Sequence, residues 1–293
     1  MFKLNYKKLL TFLSVFVLTL TSIVETTFAA DDTFATKECD PVQVVIHASY
    51  GGGTDTTARM MSIRSRRYLN ADMQIVGKRG GSGAKAQNYT LTRPKDGCTL
   101  MALTESHLYT LARKKSDMKI DDLVGIARAM EEPTFIVVNS KNTELSTIEK
   151  LIERSKKEPI LTAIANIGGT EHIGMYTYSK AAGVPFKAVS FGSGAQSVQA
   201  LASGKVEASL LNPSEAAALI DAGKVKAILL LHDKELADYP DVPTSYSMGH
   251  EVKVVTTRGY AVLKGTPQEK IDVLSKALVK AMKHETFANL SLI

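Results

Sequence analysis

From Val42 onward the chain alternates between short β-branched or apolar runs and longer stretches in which apolar residues recur every three or four positions. Runs of the first kind suit strands, and stretches of the second kind suit helices buried on one face. The pattern predicts strands at Val42–Ile46, Met73–Val76, Thr99–Leu103, Gly125–Arg128, Phe135–Val138, Ile160–Ala165, Phe186–Ser190, Glu207–Leu211, Val225–Leu231 and Tyr260–Leu263. Helices fit between them at Thr56–Tyr68, Ala84–Thr92, Glu105–Ala112, Ser146–Ser155, Glu171–Ala182, Ala195–Ser203, Ser214–Ala222 and Pro267–Lys283. Ser146-Thr147-Ile148-Glu149 has the look of a capping box. Repeated strand–helix units mean an α/β protein whose mainly parallel sheet is covered by helices on both faces. Ten strands crowd a single sheet at this length, and two α/β lobes account for them better.

The first thirty residues follow a different pattern. Lys3, Lys7 and Lys8 form a positive start, and Leu9 to Val24 then carries no charge. Those sixteen residues fall short of the about 20 that a membrane-spanning helix needs. Thr27-Phe28-Ala29 supplies small residues where a signal peptidase reads, so residues 1–29 are expected to be a secretory signal peptide. Cys39 lies too far downstream to be a lipid attachment site, which points to a non-lipidated periplasmic protein.

Composition adds modest constraints. The chain is 44% hydrophobic and 23% charged, with 20 glycines and 9 prolines, which is ordinary for a globular protein. Without residues 1–29 it holds 33 basic and 29 acidic groups, a weak field that gives nucleic acid little to bind. An exported protein can form disulfides. Cys39 lies just before one predicted strand and Cys98 opens another, so the two either bond at one end of the sheet or remain inert thiols.

The glycines carry more information. Four clusters follow predicted strands and open helices: Tyr50-Gly51-Gly52-Gly53-Thr54-Asp55, Gly80-Gly81-Ser82-Gly83, Asn166-Ile167-Gly168-Gly169-Thr170 and Phe191-Gly192-Ser193-Gly194. Each places backbone N–H groups at a helix N-terminus, where about half a positive charge gathers. In open α/β sheets ligands bind beyond the carboxyl ends of strands, which is where these turns fall. Two clusters in each half of the chain suit two lobes closing on one anion. Thr54 and Asp55 are good helix-start residues, and Asp55 is expected to fix its loop before it touches any ligand.

Nucleotide and catalytic motifs are absent. There is no G-x-x-x-x-G-K-[ST], G-x-S-x-G, H-E-x-x-H or C-x-x-C. The histidines have no metal-ligand spacing, and only His172 lies in a glycine-rich constellation. No enzyme, metal or cofactor is expected.

The loop Tyr50-Gly51-Gly52-Gly53-Thr54-Asp55-Thr56-Thr57-Ala58-Arg59 resembles the opening motif of the tripartite tricarboxylate transporter receptors, the Bug-type periplasmic solute-binding proteins. Further matches follow in family order: Gly80-Gly81-Ser82-Gly83, Pro94-Lys95-Asp96-Gly97-Cys98-Thr99-Leu100, Gly168-Gly169-Thr170-Glu171-His172 and Val189-Ser190-Phe191-Gly192-Ser193-Gly194-Ala195. Pro240-Asp241-Val242-Pro243-Thr244, Arg258-Gly259-Tyr260-Ala261 and Gly265-Thr266-Pro267 complete the series, which spans essentially the whole chain after the leader.

That resemblance implies a two-lobed Venus-flytrap receptor of the type II periplasmic-binding-protein architecture. It would be a monomer that captures a small carboxylate and passes it to separate large and small permease subunits. The ligand carboxylate would be held by main-chain N–H groups and bridging waters of Tyr50–Asp55 and Asn166–His172, with Phe191–Ala195 lining the cleft. The ligand-binding candidates are therefore Tyr50, Gly51, Gly52, Gly53, Thr54, Asp55, Gly81, Ser82, Asn166, Gly168, Gly169, Thr170, His172, Phe191, Gly192 and Ser193. The expected lobes are residues 30–130 plus 252–293, and residues 131–251. Two departures stand out. His47-Ala48-Ser49 lacks the proline common after the first strand, and Arg258 stands where many relatives have tryptophan. Arg258 either adds positive charge near the cleft or faces solvent. Presentation of the ligand to a sensor kinase and an exported α/β enzyme are the competing readings.

Overall fold

The structure is a computed structural model that describes Cys39, residues 41–285 and Phe287. The expected signal peptide lies outside the described residues. Among the described residues there are nine strands: β1 (Val42–Ile46), β2 (Met73–Gly77), β3 (Thr99–Leu103), β4 (Leu123–Asn139), β5 (Ile160–Ile164), β6 (Phe186–Ser190), β7 (Ala208–Leu211), β8 (Val225–Leu231) and β9 (Val255–Leu263). The α-helices of the described residues that connect or flank them are α1 (Gly53–Leu69), α2 (Ala84–Leu91), α3 (Glu105–Ala112), α4 (Ile148–Ser155), α5 (Thr170–Ala182), α6 (Gly194–Ala202), α7 (Pro213–Asp221) and α8 (Gln268–Lys283).

The strands run in the order β2-β1-β3-β9-β4-β7-β5-β6, with β8 also on β4. Strands linked by crossover helices are parallel, as in β1–β2, β1–β3, β5–β6 and β5–β7. Pairings that involve β9 or β4 are antiparallel, so the sheet is mixed.

Two strands expected at Gly125–Arg128 and Phe135–Val138 are one strand of 17 residues. Glu131-Glu132-Pro133 interrupts the apolar run and looks like a connection in sequence. Pro133 cannot donate to a ladder, and it sits where β4 exchanges its partners. β4 pairs with β9 as far as Pro133↔Val255, then with β8 from Thr134↔Leu231 and with β7 from Phe135↔Leu211. The chain makes a second passage between the halves at Val254–Val255, leading into β9.

Each half has its own core. Val44, Ile46, Leu100 and Val262 pack with Met61 of α1 and Leu274 and Leu278 of α8. In the other half, Ile136, Leu210, Leu229 and Ile164 pack with Leu151 of α4 and Tyr178 of α5 on one sheet face. Phe135, Leu211, Val198 and Leu201 fill the opposite face beneath α6 and α7. Cys39 and Cys98 form a disulfide with Cα atoms 4.9 Å apart, which ties the chain before β1 to the start of β3. At α4 the cap is Thr147, whose hydroxyl accepts from Lys150 N–H at 3.4 Å, one residue later than the Ser146 start expected from sequence.

Candidate ligand-binding cleft

The carboxyl ends of β1, β3, β5, β6 and β7 face one small cavity between the two halves, and the helix after each of them starts there. Gly53 and Thr54 of α1, Ser106 of α3, Thr170 and Glu171 of α5, Ser193 and Gly194 of α6, and Glu215 of α7 line it. Five helix N-termini therefore converge, each with about half a positive charge.

Two of the turns are fastened in the same way. After β1, Gly51 takes φ +81°, which favours glycine, and Gly52 caps α1. The N–H of Gly51 donates to Asp55 Oδ2 at 2.8 Å, and Arg59 Nε holds the same carboxylate at 2.9 Å. After β5, Gly168 takes φ +72°, and its N–H donates to His172 Nδ1 at 2.9 Å. In both loops a side chain four residues on receives the turn's N–H. Asp55 and His172 thus fix the loops that carry them. Burial, and then the Arg113 charge, hold the His172 imidazole below its ordinary pKa, which keeps Nδ1 free to accept.

The halves are closed on each other. Ser49 N–H donates to Gly192 O at 3.3 Å, and Ser49 Oγ to Gln196 Oε1 at 3.0 Å. Thr170 N–H donates to Ser106 Oγ at 3.0 Å, and Ser82 Oγ to Ile167 O at 2.6 Å. A Cβ on Gly52 would stand 3.0 Å from Ser193 Cβ, so glycine permits this approach. The enclosed volume is about 20 Å³, roughly what one water requires.

At the floor lies a buried charged group. Arg258 from β9 places Nη2 2.9 Å and Nε 3.2 Å from Glu132 Oε2 on β4, and Nη2 also donates to Asn212 Oδ1 at 3.1 Å. Arg258 therefore faces the cleft and is buried, which decides between the two readings of that position. Glu132 Oε1 accepts from Ser214 N–H at 3.2 Å. Glu215 Oε2 accepts from Asn212 N–H at 3.2 Å, and Oε1 reaches across the cleft to Gly53 N–H at 3.4 Å. The Glu215 carboxylate thus occupies the N-terminus of α1, and a Cβ on Gly194 would collide with it.

These groups shift one another. Burial, and then repulsion by Glu215, push the Glu171 carboxyl up to about 7. Burial also raises Glu215, with Arg258 opposing and Glu132 assisting. Burial alone would lower Arg258, but Glu132 and Glu215 more than offset it and hold the guanidinium charged. Burial, and then the Arg258 charge, lower His47 to about 4, so it is neutral. Its ring meets that of His107 edge-on at 4.2 Å.

Of the residues singled out in the sequence, Gly53, Thr54, Asn166, Thr170 and Ser193 line the cavity. Gly51, Gly52, Gly168, Gly169 and Gly192 shape the turns around it. Gly81 and Ser82 stand at the rim, where Ser82 contacts Ile167. Tyr50 is exposed and leans away from the cavity, its hydroxyl accepting from Gly77 N–H at 3.0 Å. Phe191 packs against the core of the second half. His47, Glu132, Glu171, Glu215 and Thr256 escape the sequence reading as site residues. The Asn212-Pro213-Ser214-Glu215 capping pattern was the one local signal for Glu215. Among the described residues no group of His, Cys, Asp or Glu is placed to hold a metal, and no helix is long and apolar enough to cross a membrane.

The model of the tripartite tricarboxylate transporter family receptor matches residues 58–292. The chain belongs to that family. It is a solute-binding receptor of the Bug type, not an enzyme. Protein BugT of Bordetella pertussis is 24% identical to it over 290 residues, covering 96% of this chain and 86% of that protein. Among solved structures, this receptor is similar to MatC from Rhodopseudomonas palustris with bound malate, at TM-score 0.79 and 23% identity, covering 86% of this chain and 87% of that one. A second R. palustris protein, solved with adipate, gives TM-score 0.79 at 20% identity, with 86% of each chain covered. The two-lobed periplasmic-binding-protein fold is common to them.

Proposed function

We propose that this receptor captures a small organic acid outside the cytoplasm and delivers it to the membrane permease subunits of a tripartite transporter. The observation that carries the reading is the convergence of five helix N-termini, from both halves of the chain, on one cavity. Main-chain N–H groups of Tyr50–Asp55 and Asn166–His172 would receive the carboxylate, and charge-assisted hydrogen bonds of that kind are among the stronger ones. Malate and adipate in the two solved relatives fit this chemistry. Residues 1–29 act as the signal peptide, which places the receptor in the periplasm. The lobes are residues 30–130 with 252–293, and residues 131–251. The cleft as it stands has room for about one water, so the acid enters with the halves parted; contacts to both lobes then favour closure around it, and the permease reads that form.

The test is a thermal-shift screen of residues 30–293, refolded to strip carried-over ligand, against organic acids, amino acids and nucleotides. A ligand at 100 times its Kd stabilises by about 2.7 kcal/mol. A shift with one class of organic acid supports the reading. Shifts with nucleotides alone overturn it.

A further inference from the structure

The positive charge of the chain is gathered in one place. Residues 78–119 hold nine lysines and arginines against three acids, a net of +6, whereas the whole chain without residues 1–29 nets +4. The rest of the chain after residue 29 is therefore slightly acidic. The three acids of the segment are taken by uncharged donors. Asp96 accepts from Cys98 N–H at 2.8 Å, Glu105 from Thr257 N–H at 2.8 and 2.9 Å, and Asp117 from Asn88 Nδ2 at 3.1 Å. Among the described residues none of the nine cations forms an ion pair. Unpaired like charges repel one another and project their field beyond the surface.

Two of these cations stand at the seam between the halves. Arg113 Nη1 donates to Ile167 O at 3.4 Å, and its guanidinium fills the space beside Gly168 that a Cβ would need. A Cβ on Gly192 would stand 2.9 Å from Arg79 Nη2. Lys85, in the first turn of α2, and Lys114 and Lys115, just past the end of α3, are exposed on the same side. Thr110 Oγ1 donates to Ser82 O at 2.6 Å and Ser116 Oγ to Asn88 Oδ1 at 2.9 Å, which ties these segments into one face.

Two large apolar side chains are exposed along that seam. Tyr50, 59% exposed, is fixed by the Gly77 N–H next to Lys78 and Arg79, and Ile167, 47% exposed, comes from the other half. Arginine and aromatic side chains around an apolar spot are what protein interfaces concentrate. A lipid surface would read charge alone and would need only one half. The Arg113–Ile167 and Arg79–Gly192 approaches cross between the halves, so parting them dismantles the face.

We propose that this basic face, with Tyr50 and Ile167 as apolar anchors, is where the closed receptor docks on an acidic outer surface of its permease subunits. This rests on the transport reading and adds to it the place and the charge of the encounter. Complementary charge of this kind speeds association and rejects wrong partners.

Permease subunits held in phosphatidylcholine nanodiscs are titrated with receptor by biolayer interferometry, without added acid and with malate or adipate in excess. Wild type should bind, and more weakly as salt rises. The triple variant Lys85→Glu, Lys114→Glu, Lys115→Glu should bind at least about tenfold more weakly, although none of the three lines the cavity. A control with the same charge change in the other half, Lys141→Glu, Lys224→Glu, Lys234→Glu, should bind as wild type does. Equal binding by the first variant and wild type, or equal loss in both variants, overturns the proposal and leaves the transport reading standing. Binding of wild type to phosphatidylglycerol nanodiscs without permease, as tight as to the permease, overturns it in favour of a lipid surface. If wild type binds the permease under no condition, the transport reading falls with it.

Discussion

Arg258 and Glu132 lie on neighbouring strands, β9 and β4, and meet at 2.9 Å with each residue about 95% withdrawn from solvent (5% and 6% exposed). Breaking such a pair from one side leaves a buried charge, which costs about 3–5 kcal/mol. Glu132→Gln should fall near the lower end, because Glu215 and Glu171 still flank the guanidinium. Urea unfolding at pH 7 measures it, and a loss below about 1 kcal/mol, the level of an exposed pair, would show that the pair is not buried in solution.

The two packed histidines give an acid dependence with a definite sign. His47 has its pKa lowered from 6.5 to about 4, and His107 shifts the same way through burial and the His47 charge. Groups lowered in this way favour the neutral form on folding. The stability they confer is complete above pH 6.5 and is lost as pH falls toward 4, with about 2 kcal/mol gone at pH 5 for His47 alone. Glu171 acts oppositely, since its raised pKa makes ionisation costly as pH climbs from 4.5 through 7. Comparing wild type with His47→Asn therefore isolates the effect. The urea midpoint of the variant should change less between pH 7.5 and pH 5, and an unchanged slope would count against a buried neutral His47.

Closure should answer to contacts made between the halves. Ser106→Ala removes the acceptor of the Thr170 N–H and a 3.2 Å hydroxyl contact with Thr170. That is worth about 1 kcal/mol, or roughly a fivefold shift toward the open form. Gly52→Ala places a Cβ 3.0 Å from Ser193 Cβ across the cleft and should open it further. Small-angle scattering would report a larger radius of gyration for both variants. Identical curves for wild type and both variants would mean that these contacts do not hold the cleft shut.

The disulfide joins the amino-terminal ends of β1 and β3, whereas the cavity lies at their carboxyl ends. Replacing Cys39 and Cys98 by alanine should cost about 2–4 kcal/mol in stability. Ligand affinity should be unchanged within twofold. A change in affinity larger than that would mean that the bond shapes the cleft as well as the core.

The alternation of strands and helices is legible in the sequence because each element carries its own hydrophobic period. Even so, α1 begins at Gly53, three residues before the expected Thr56, since the Gly53-Thr54-Asp55 turn is already helical. The glycine turns are visible for the same local reason. The charged floor is not, because it is assembled by register. Glu132 opposes Thr256 and Met130 opposes Arg258 across β4 and β9, and Glu215 arrives from a helix start more than forty residues earlier in the chain than Arg258. No short-range pattern encodes those meetings. Arg258 could be picked out as a departure from the family, but its direction depended on a pairing that only the fold supplies.

β4 runs unbroken through both halves, and its ladders shift register between Gly125 and Ala127, between Arg128 and Met130, and between Ile136 and Val137. A link of that kind cannot swivel as a loop does. It flexes like a leaf spring, with strain spread along a bonded ribbon that returns to its own resting twist. The slack lies at the three irregular points, and one of them is two residues from Glu132. Glu132, whose carboxylate meets Arg258 at the cleft floor, is thus part of the ribbon that joins the halves.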